Sequence, residues 1–146
     1  MKTLGFQTVI FSLGNEEYGF PIEMVQEITS LIDIHPLPEA PPYIKGLINI
    51  RGQALPLVDL NKKFGLEDES KNNFAIIVEI NDSLVAIAVD EVKEIRTFEK
   101  VEPPPALITV PFISGIINLA NRMIIQIRPE NLLEDNEIKD LIKLVG

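Results

Sequence analysis

The stretch Pro42-Tyr-Ile-Lys-Gly-Leu-Ile-Asn-Ile-Arg-Gly-Gln-Ala-Leu-Pro-Leu-Val-Asp-Leu60 decides how the rest of the chain is read. Gly46 opens an apolar run, Leu47 to Ile50, which Arg51-Gly52 interrupts. Leu55, Leu57 and Val58 then resume the β-type pattern. Two such runs parted by a dipeptide ending in glycine spell a hairpin, with Arg51 at its tip. An altered copy lies downstream: Pro111-Phe-Ile-Ser-Gly-Ile-Ile-Asn-Leu-Ala-Asn-Arg-Met-Ile-Ile-Gln-Ile-Arg-Pro129. Pro42 aligns with Pro111, Gly46 with Gly115 and Asn49 with Asn118, at an offset of 69 residues (111 − 42). What the copies share is expected to serve the fold, and where they differ function is the expected cause. The sharpest difference is Arg51, matched by Ala120.

The duplication extends outward from this stretch. Thr8 to Leu13 alternates, with Val9, Phe11 and Leu13 on one face and Thr8, Ile10 and Ser12 on the other. Gly14-Asn15-Glu16-Glu17 reads as a turn and Tyr18 to Ile22 as the return strand. Phe74 to Ile80, Asn81-Asp82-Ser83 and Leu84 to Val89 repeat this hairpin. Val25-Gln26-Glu27-Ile28, a short strand or turn carrying polar groups outward, returns as Val92-Lys93-Glu94-Ile95 at an offset of 67 (92 − 25). His35-Pro36-Leu37-Pro38-Glu39-Ala40-Pro41-Pro42 is too rich in proline for a helix or a central strand and should run extended across the surface. Pro103-Pro104-Pro105 marks the second connector. Asn61 to Gly65 reads as one helical turn, with Asp59 as its cap. The order hairpin, short strand, connector, hairpin thus occurs twice, over residues 7–65 and 74–133. Two short-stranded units of this size predict two small β-barrels packed together. Ile138, Leu141, Ile142 and Val145 recur at helical spacing and predict an amphipathic helix over 136–145.

Composition narrows the function. The 146 residues suffice for one domain, or for two small subdomains sharing a core, and a hydrophobic content of 46% marks a folded chain. No apolar run approaches the ~20 residues that cross a bilayer, and the N-terminus lacks a secretory pattern, so a cytoplasmic protein without membrane insertion is expected. The absence of cysteine excludes a disulfide framework, a thiolate zinc site and a cysteine nucleophile. A net charge of −9 disfavours nucleic acid, which demands a basic face. The single histidine, His35, reads as an exposed connector residue, and no serine sits in a Gly-x-Ser-x-Gly context. Glu16-Glu17 and Glu67-Asp68-Glu69 read as solvated turns. No glycine-rich phosphate loop or metal-ligand cluster is present, so no catalytic, cofactor or metal residue is assigned. Gly46 and Gly115 suit a strained turn or a close backbone approach. Asn49 and Asn118 look structural, since both copies keep them. Arg51 has two readings that its own residues leave open: a solvated turn arginine, or a partner-binding anchor that exploits its flat, donor-rich guanidinium.

Four pieces taken together carry a resemblance. Phe11-Ser-Leu-Gly-Asn-Glu-Glu-Tyr-Gly-Phe20, Val25-Gln-Glu-Ile28, Tyr43-Ile-Lys-Gly-Leu-Ile-Asn-Ile-Arg-Gly52 and Pro56-Leu-Val-Asp-Leu60 closely resemble the CheW coupling proteins of bacterial chemotaxis, in order and in spacing. The resemblance covers nearly the whole chain and makes 1–146 a single CheW-like domain. It implies a mainly β fold, two intertwined five-stranded SH3-like barrels with a short C-terminal helix. It also implies a non-enzymatic adaptor, recruited to receptor arrays, that joins the cytoplasmic tip of chemoreceptors to the regulatory domain of the histidine kinase CheA. Family positions implicated in receptor or kinase coupling fall here on Val25, Glu27, Gly46 and Arg51. Asn61 departs from a common arginine and Ala120 from a common glycine, which bears on a peripheral contact and on a turn. The rival readings are a small carboxylate hydrolase and a nucleic-acid-binding barrel. The first lacks a convergent set of catalytic groups, and the second is opposed by the charge.

Overall fold

The computed structural model describes residues 5–31, 33–66, 72–108, 110–134, 136, 137, 139 and 140. Two hairpins open it: β1 (Phe6–Leu13) with β2 (Glu16–Pro21), and, after β3 (Val25–Ser30), β4 (Ile44–Ile50) with β5 (Gln53–Asp59). A single helical turn, α1 (Leu60–Lys63), closes the first half. The second half repeats the series as β6 (Phe74–Ile80), β7 (Ser83–Val89), β8 (Glu91–Phe98), β9 (Ile113–Leu119) and β10 (Arg122–Ile127). Asp59 caps α1 by accepting a hydrogen bond from the Lys62 N–H at 3.3 Å, and Gly65 comes after it with φ 73°, as the sequence predicts.

The strands form two five-stranded sheets, ordered β8-β1-β2-β10-β9 and β3-β6-β7-β5-β4. Exchanging each strand of one half for its equivalent in the other turns the first order into the second. Each sheet therefore takes strands from both halves, which is the intertwining the resemblance implies. The exchange rests on two parallel pairs, β2 with β10 and β5 with β7, and on the antiparallel pairs β1 with β8 and β3 with β6.

The strand registers of the two halves match residue for residue. β3 steps from Val25 opposite Val78 to Glu27 opposite Ile77, leaving Gln26 unpaired. β8 makes the same step from Val92 opposite Phe11 to Glu94 opposite Ile10. β4 and β9 bulge in turn between Ile44 and Gly46 and between Ile113 and Gly115. Such bulges bend short strands enough to curl a five-stranded sheet on itself.

Burial explains why β1 and β6 are apolar on both faces. Val9, Phe11 and Leu13 of β1 meet Ile76, Val78 and Ile80 of β6 in one large core shared by the two sheets. The opposite faces fill the individual barrels: Ile10 with Phe98, Ile117 and Ile124, and Ile77 with Ile48, Leu55 and Leu57. An aromatic run crosses the shared core from Phe20 through Phe11, Tyr18 and Phe64 to Phe112, with ring centroids 4.7 to 6.0 Å apart. Several boundaries differ from the sequence reading: β1 begins at Phe6, Glu16 and Glu17 belong to β2 so that the turn is Gly14-Asn15 alone, β2 ends at Pro21 short of Ile22, Ser83 opens β7, and β3 runs on to Ser30. Of the helix expected over 136–145, residues 136, 137, 139 and 140 are helical, and the rest lies outside the described residues.

Candidate partner-binding site

β3 and β4 are the two edges of their sheet, and the site lies where they approach. β4 turns into β5 through Arg51 and Gly52, whose φ values of 53° and 83° both fall in the left-handed region. That is the backbone of a tight two-residue hairpin whose twist matches the flanking strands. The Asn49 side-chain oxygen accepts a hydrogen bond from the Gly52 N–H at 2.8 Å and braces the turn. Arg51 projects from it with its side chain 81% exposed, and its guanidinium lies 3.3 Å from the carboxylate of Glu27 on β3, itself 28% exposed. Two of the four residues chosen from sequence thus meet across the gap between the edge strands. Beside them an open cleft of about 330 Å³ is lined by Thr29, Leu31, His35, Ile48 and Ile50. So exposed an ion pair contributes at most about 0.5 kcal/mol to stability, which leaves the guanidinium available to another carboxylate.

The other two chosen residues stand behind this edge. Val25 starts β3 half-buried and packs against the shared core. Gly46 is buried, with φ 151°, and a Cβ there would run into the His35 carbonyl oxygen and come within 3.0 Å of Ile34. The reason is the connector. His35 and Leu47 exchange two backbone hydrogen bonds of 2.8 Å, which lay the proline-rich segment directly on β4. Gly115 does the same in the second half, where Glu102 and Ile116 form the matching bridge. Gly46 is therefore the close backbone approach anticipated for it. The His35 side chain is exposed, since its backbone makes the contact.

Sequence reasoning missed a charged clamp in the other sheet. Arg122, at the start of β10, binds Glu17 of β2 through two hydrogen bonds of 2.7 and 2.8 Å and reaches Glu94 of β8 at 3.4 Å. Its hydrogen bonds hold the Glu17 carboxyl below the usual glutamate range, and Glu17 in turn raises the affinity of Arg122 for its proton. Glu94 is the counterpart of Glu27 at the offset of 67 (94 − 27), so both sheets place a carboxylate at the same point and meet it with an arginine. The arginines differ. Arg122 is 26% exposed and held on both sides of its fork, whereas Arg51 is exposed with one charged contact among the described residues. The recurrence of Glu27 as Glu94 was the available signal. The partner Glu17 was not visible, because it comes from a strand 105 residues away that pairs in parallel with β10.

Two further features complete the surface. Lys63 of α1 donates to both carboxylate oxygens of Glu137 at 2.7 Å and lies 4.6 Å over the Tyr43 ring. Burial pushes the Glu137 carboxyl up, but the Glu134 N–H and Lys63 outweigh it, and the net shift is downward. An open apolar groove of about 370 Å³ runs along the other barrel, lined by Pro103, Pro104, Ile108, Ile116 and Met123. Among the described residues there is no group of three His, Cys, Asp or Glu placed to hold a metal, and no helix long and apolar enough to cross a membrane.

Paired, strand-exchanged barrels with an exposed charged edge define a class of β-rich scaffold. The CheW-like domain model matches residues 7–137, and the chain belongs to the CheW family of chemotaxis scaffold proteins. It is 34% identical over 144 residues to the chemotaxis protein CheW of Klebsiella aerogenes, covering 94% of this chain and 87% of that one. Against the chemotaxis protein CheW of Treponema pallidum it is 31% identical over 150 residues, covering 95% and 88%. The crystal structure of the scaffolding protein TtCheW from Thermoanaerobacter tengcongensis matches with a TM-score of 0.83 at 37% identity, over 92% of this chain and 96% of that one.

Proposed function

We propose that residues 1–146 act as a single CheW-like domain, a non-enzymatic cytoplasmic adaptor that couples the tips of chemoreceptors to the regulatory domain of the histidine kinase CheA within receptor arrays. The observation that carries this reading is the contrast between the two arginines in a chain of this family. Arg122 is spent on its own fold, and Arg51 stands exposed at a hairpin tip beside Glu27. We assign Arg51 and Glu27 to direct contact with an acid-bearing and base-bearing partner surface, and Val25 and Gly46 to the support of that edge. The apolar groove on the other barrel supports a second, separate surface, because exposed apolar patches of this kind mark interaction sites. Neither surface calls for nucleic acid, a cofactor or insertion into lipid.

Co-sedimentation tests the reading. Receptor-tip fragment, CheA and this protein should pellet together, and omission of this protein should release CheA from the receptor. Excess receptor fragment should leave the CheA regulatory domain bound. Release of the kinase domain by the receptor would remove the bridging mechanism, and CheA that pellets equally well without this protein would remove the adaptor role.

A further inference from the structure

We propose that Asn49 is a positioning residue for Arg51, which rests on the reading of Arg51 as a partner anchor and extends it to a second residue of the same hairpin. Among the described residues the Arg51 side chain has one charged contact, Glu27 at 3.3 Å, and it is 81% exposed. No packing therefore fixes where the guanidinium points, and its direction is inherited from the backbone at the turn. That backbone is unusual, since Arg51 sits at φ 53°, a region that disfavours any residue with a Cβ. Gly52 adopts φ 83° with open space around it, so glycine is there for conformation alone. What braces this turn is the bond from the Gly52 N–H to the Asn49 side-chain oxygen, at 2.8 Å across three residues. The second half has no arginine to aim. Asn118 is kept there, but its turn, Ala120-Asn121, adopts no positive φ. Asn49 braces the first hairpin and so sets the direction of the exposed Arg51 at its tip.

The test uses the full chain with Asn49→Ala, Asn49→Asp, Arg51→Ala and the double variant Asn49→Ala/Arg51→Ala. Amide hydrogen exchange at Gly52 and the contact between Arg51 and Glu27 are followed by NMR without any partner, and Kd is measured for a receptor-tip fragment. Asn49→Ala should lose protection at Gly52, release Arg51 from Glu27 and weaken binding about threefold to tenfold. Asn49→Asp, which keeps the acceptor oxygen, should restore protection and most of the affinity. The double variant should bind no more weakly than Arg51→Ala, because a residue that acts through Arg51 has nothing left to act on. Unchanged exchange at Gly52 in Asn49→Ala, or effects on Kd that add independently, would overturn the proposal. Full affinity in Arg51→Ala would instead overturn Arg51 as the anchor and, with it, any binding role for Asn49, while the NMR signals would still report the turn.

Discussion

Arg51→Gly should separate folding from binding at a single position. In the native turn Arg51 sits at φ 53°, where a residue with a Cβ costs roughly 1–2 kcal/mol relative to glycine. The substitution relieves that strain. Against the gain stand about 0.4–1 kcal/mol for the greater freedom of glycine in the unfolded chain and about 0.2–0.5 kcal/mol for the exposed pair with Glu27. The balance is a net stabilisation of about 0.5 kcal/mol, or a rise in Tm of about 1–2 °C for a chain of this length. Binding should move the other way, with a loss of about 1–3 kcal/mol if the guanidinium is a charged anchor. Urea denaturation and titration with a receptor-tip fragment, on the same preparation, read both quantities. A loss of stability beyond about 1 kcal/mol would show that Arg51 is part of the fold, and an unchanged Kd would show that it is not an anchor. Arg51→Ala, which keeps the strained backbone and drops the side chain, should fall slightly below the wild type in stability and match Arg51→Gly in affinity.

Gly46→Ala should cost about 2–4 kcal/mol in denaturation experiments, since its φ of 151° and the His35 carbonyl leave no room for a Cβ; an unaltered stability with lost binding would place Gly46 in an interface instead. Arg122→Ala should cost about 1–2 kcal/mol, because it leaves Glu17 without its two charge-assisted hydrogen bonds. The Glu17 carboxyl is held below its ordinary value, so its contribution is complete above about pH 4.5 and is lost as pH falls through the lowered folded value. Acid denaturation should therefore be less steep in Arg122→Ala than in the wild type, and equal pH dependence of the two would refute the clamp. His35→Ala should change neither Tm nor receptor affinity, because the connector is held by the His35 backbone; a drop in either would give the imidazole a role that its exposure does not suggest.

The local grammar of this chain was legible because each hairpin has its own turn chemistry and each connector its own prolines. Arg51-Gly52 at the tip, Asp59 capping α1 and the matched positions Val25 with Val92 are all set by residues close in sequence. Which strand lies beside which is not. The parallel pairs β2–β10 and β5–β7 cross the halves, and hydrophobic alternation carries no record of a partner so distant. It was the family resemblance that supplied the intertwining. Glu17 was misplaced for the same reason: beside Glu16 it looks like part of a solvated turn, and only the arrival of Arg122 from β10 makes it half-buried and paired. Gly46 was legible as a glycine that needs space, but not what fills that space, because the connector contact is made by a backbone carbonyl. Glu27 meeting Arg51 was likewise beyond the pattern, since β3 shares no ladder with either strand of the hairpin that carries Arg51 at its turn.

Duplication normally gives a protein the same surface twice, and here the fold keeps that symmetry while the charges break it. Each sheet has a carboxylate at the third strand of a half, Glu27 in one and Glu94 in the other. In the sheet that holds Glu94, the start of β10 supplies Arg122 and β2 supplies Glu17, so positive and negative groups close on one another. The equivalent positions in the other sheet are Gln53 (122 − 69) and Leu84 (17 + 67), which are uncharged. The pair Glu27 and Arg51 has no second carboxylate of that kind to lock it, and the arginine has moved from the strand to the tip of the hairpin. A clamp satisfied from within gains little from a partner, because any new ion pair must first break an existing one. A loosely held pair at an exposed edge exchanges one weak contact for another at small cost, and each of its charges can then face an opposite charge on the partner. An adaptor built from two like barrels needs such a difference, since identical ends would recruit the same partner twice. Restoring symmetry should therefore impair the protein even where it strengthens the fold. A variant with Gln53→Arg and Leu84→Glu would carry in this sheet the groups that lock Glu94 in the other. It should draw Glu27 into an internal clamp and weaken receptor binding with Arg51 still in place; wild-type affinity in such a variant, with the new clamp seen in its crystal structure, would show that Glu27 has no part in the contact.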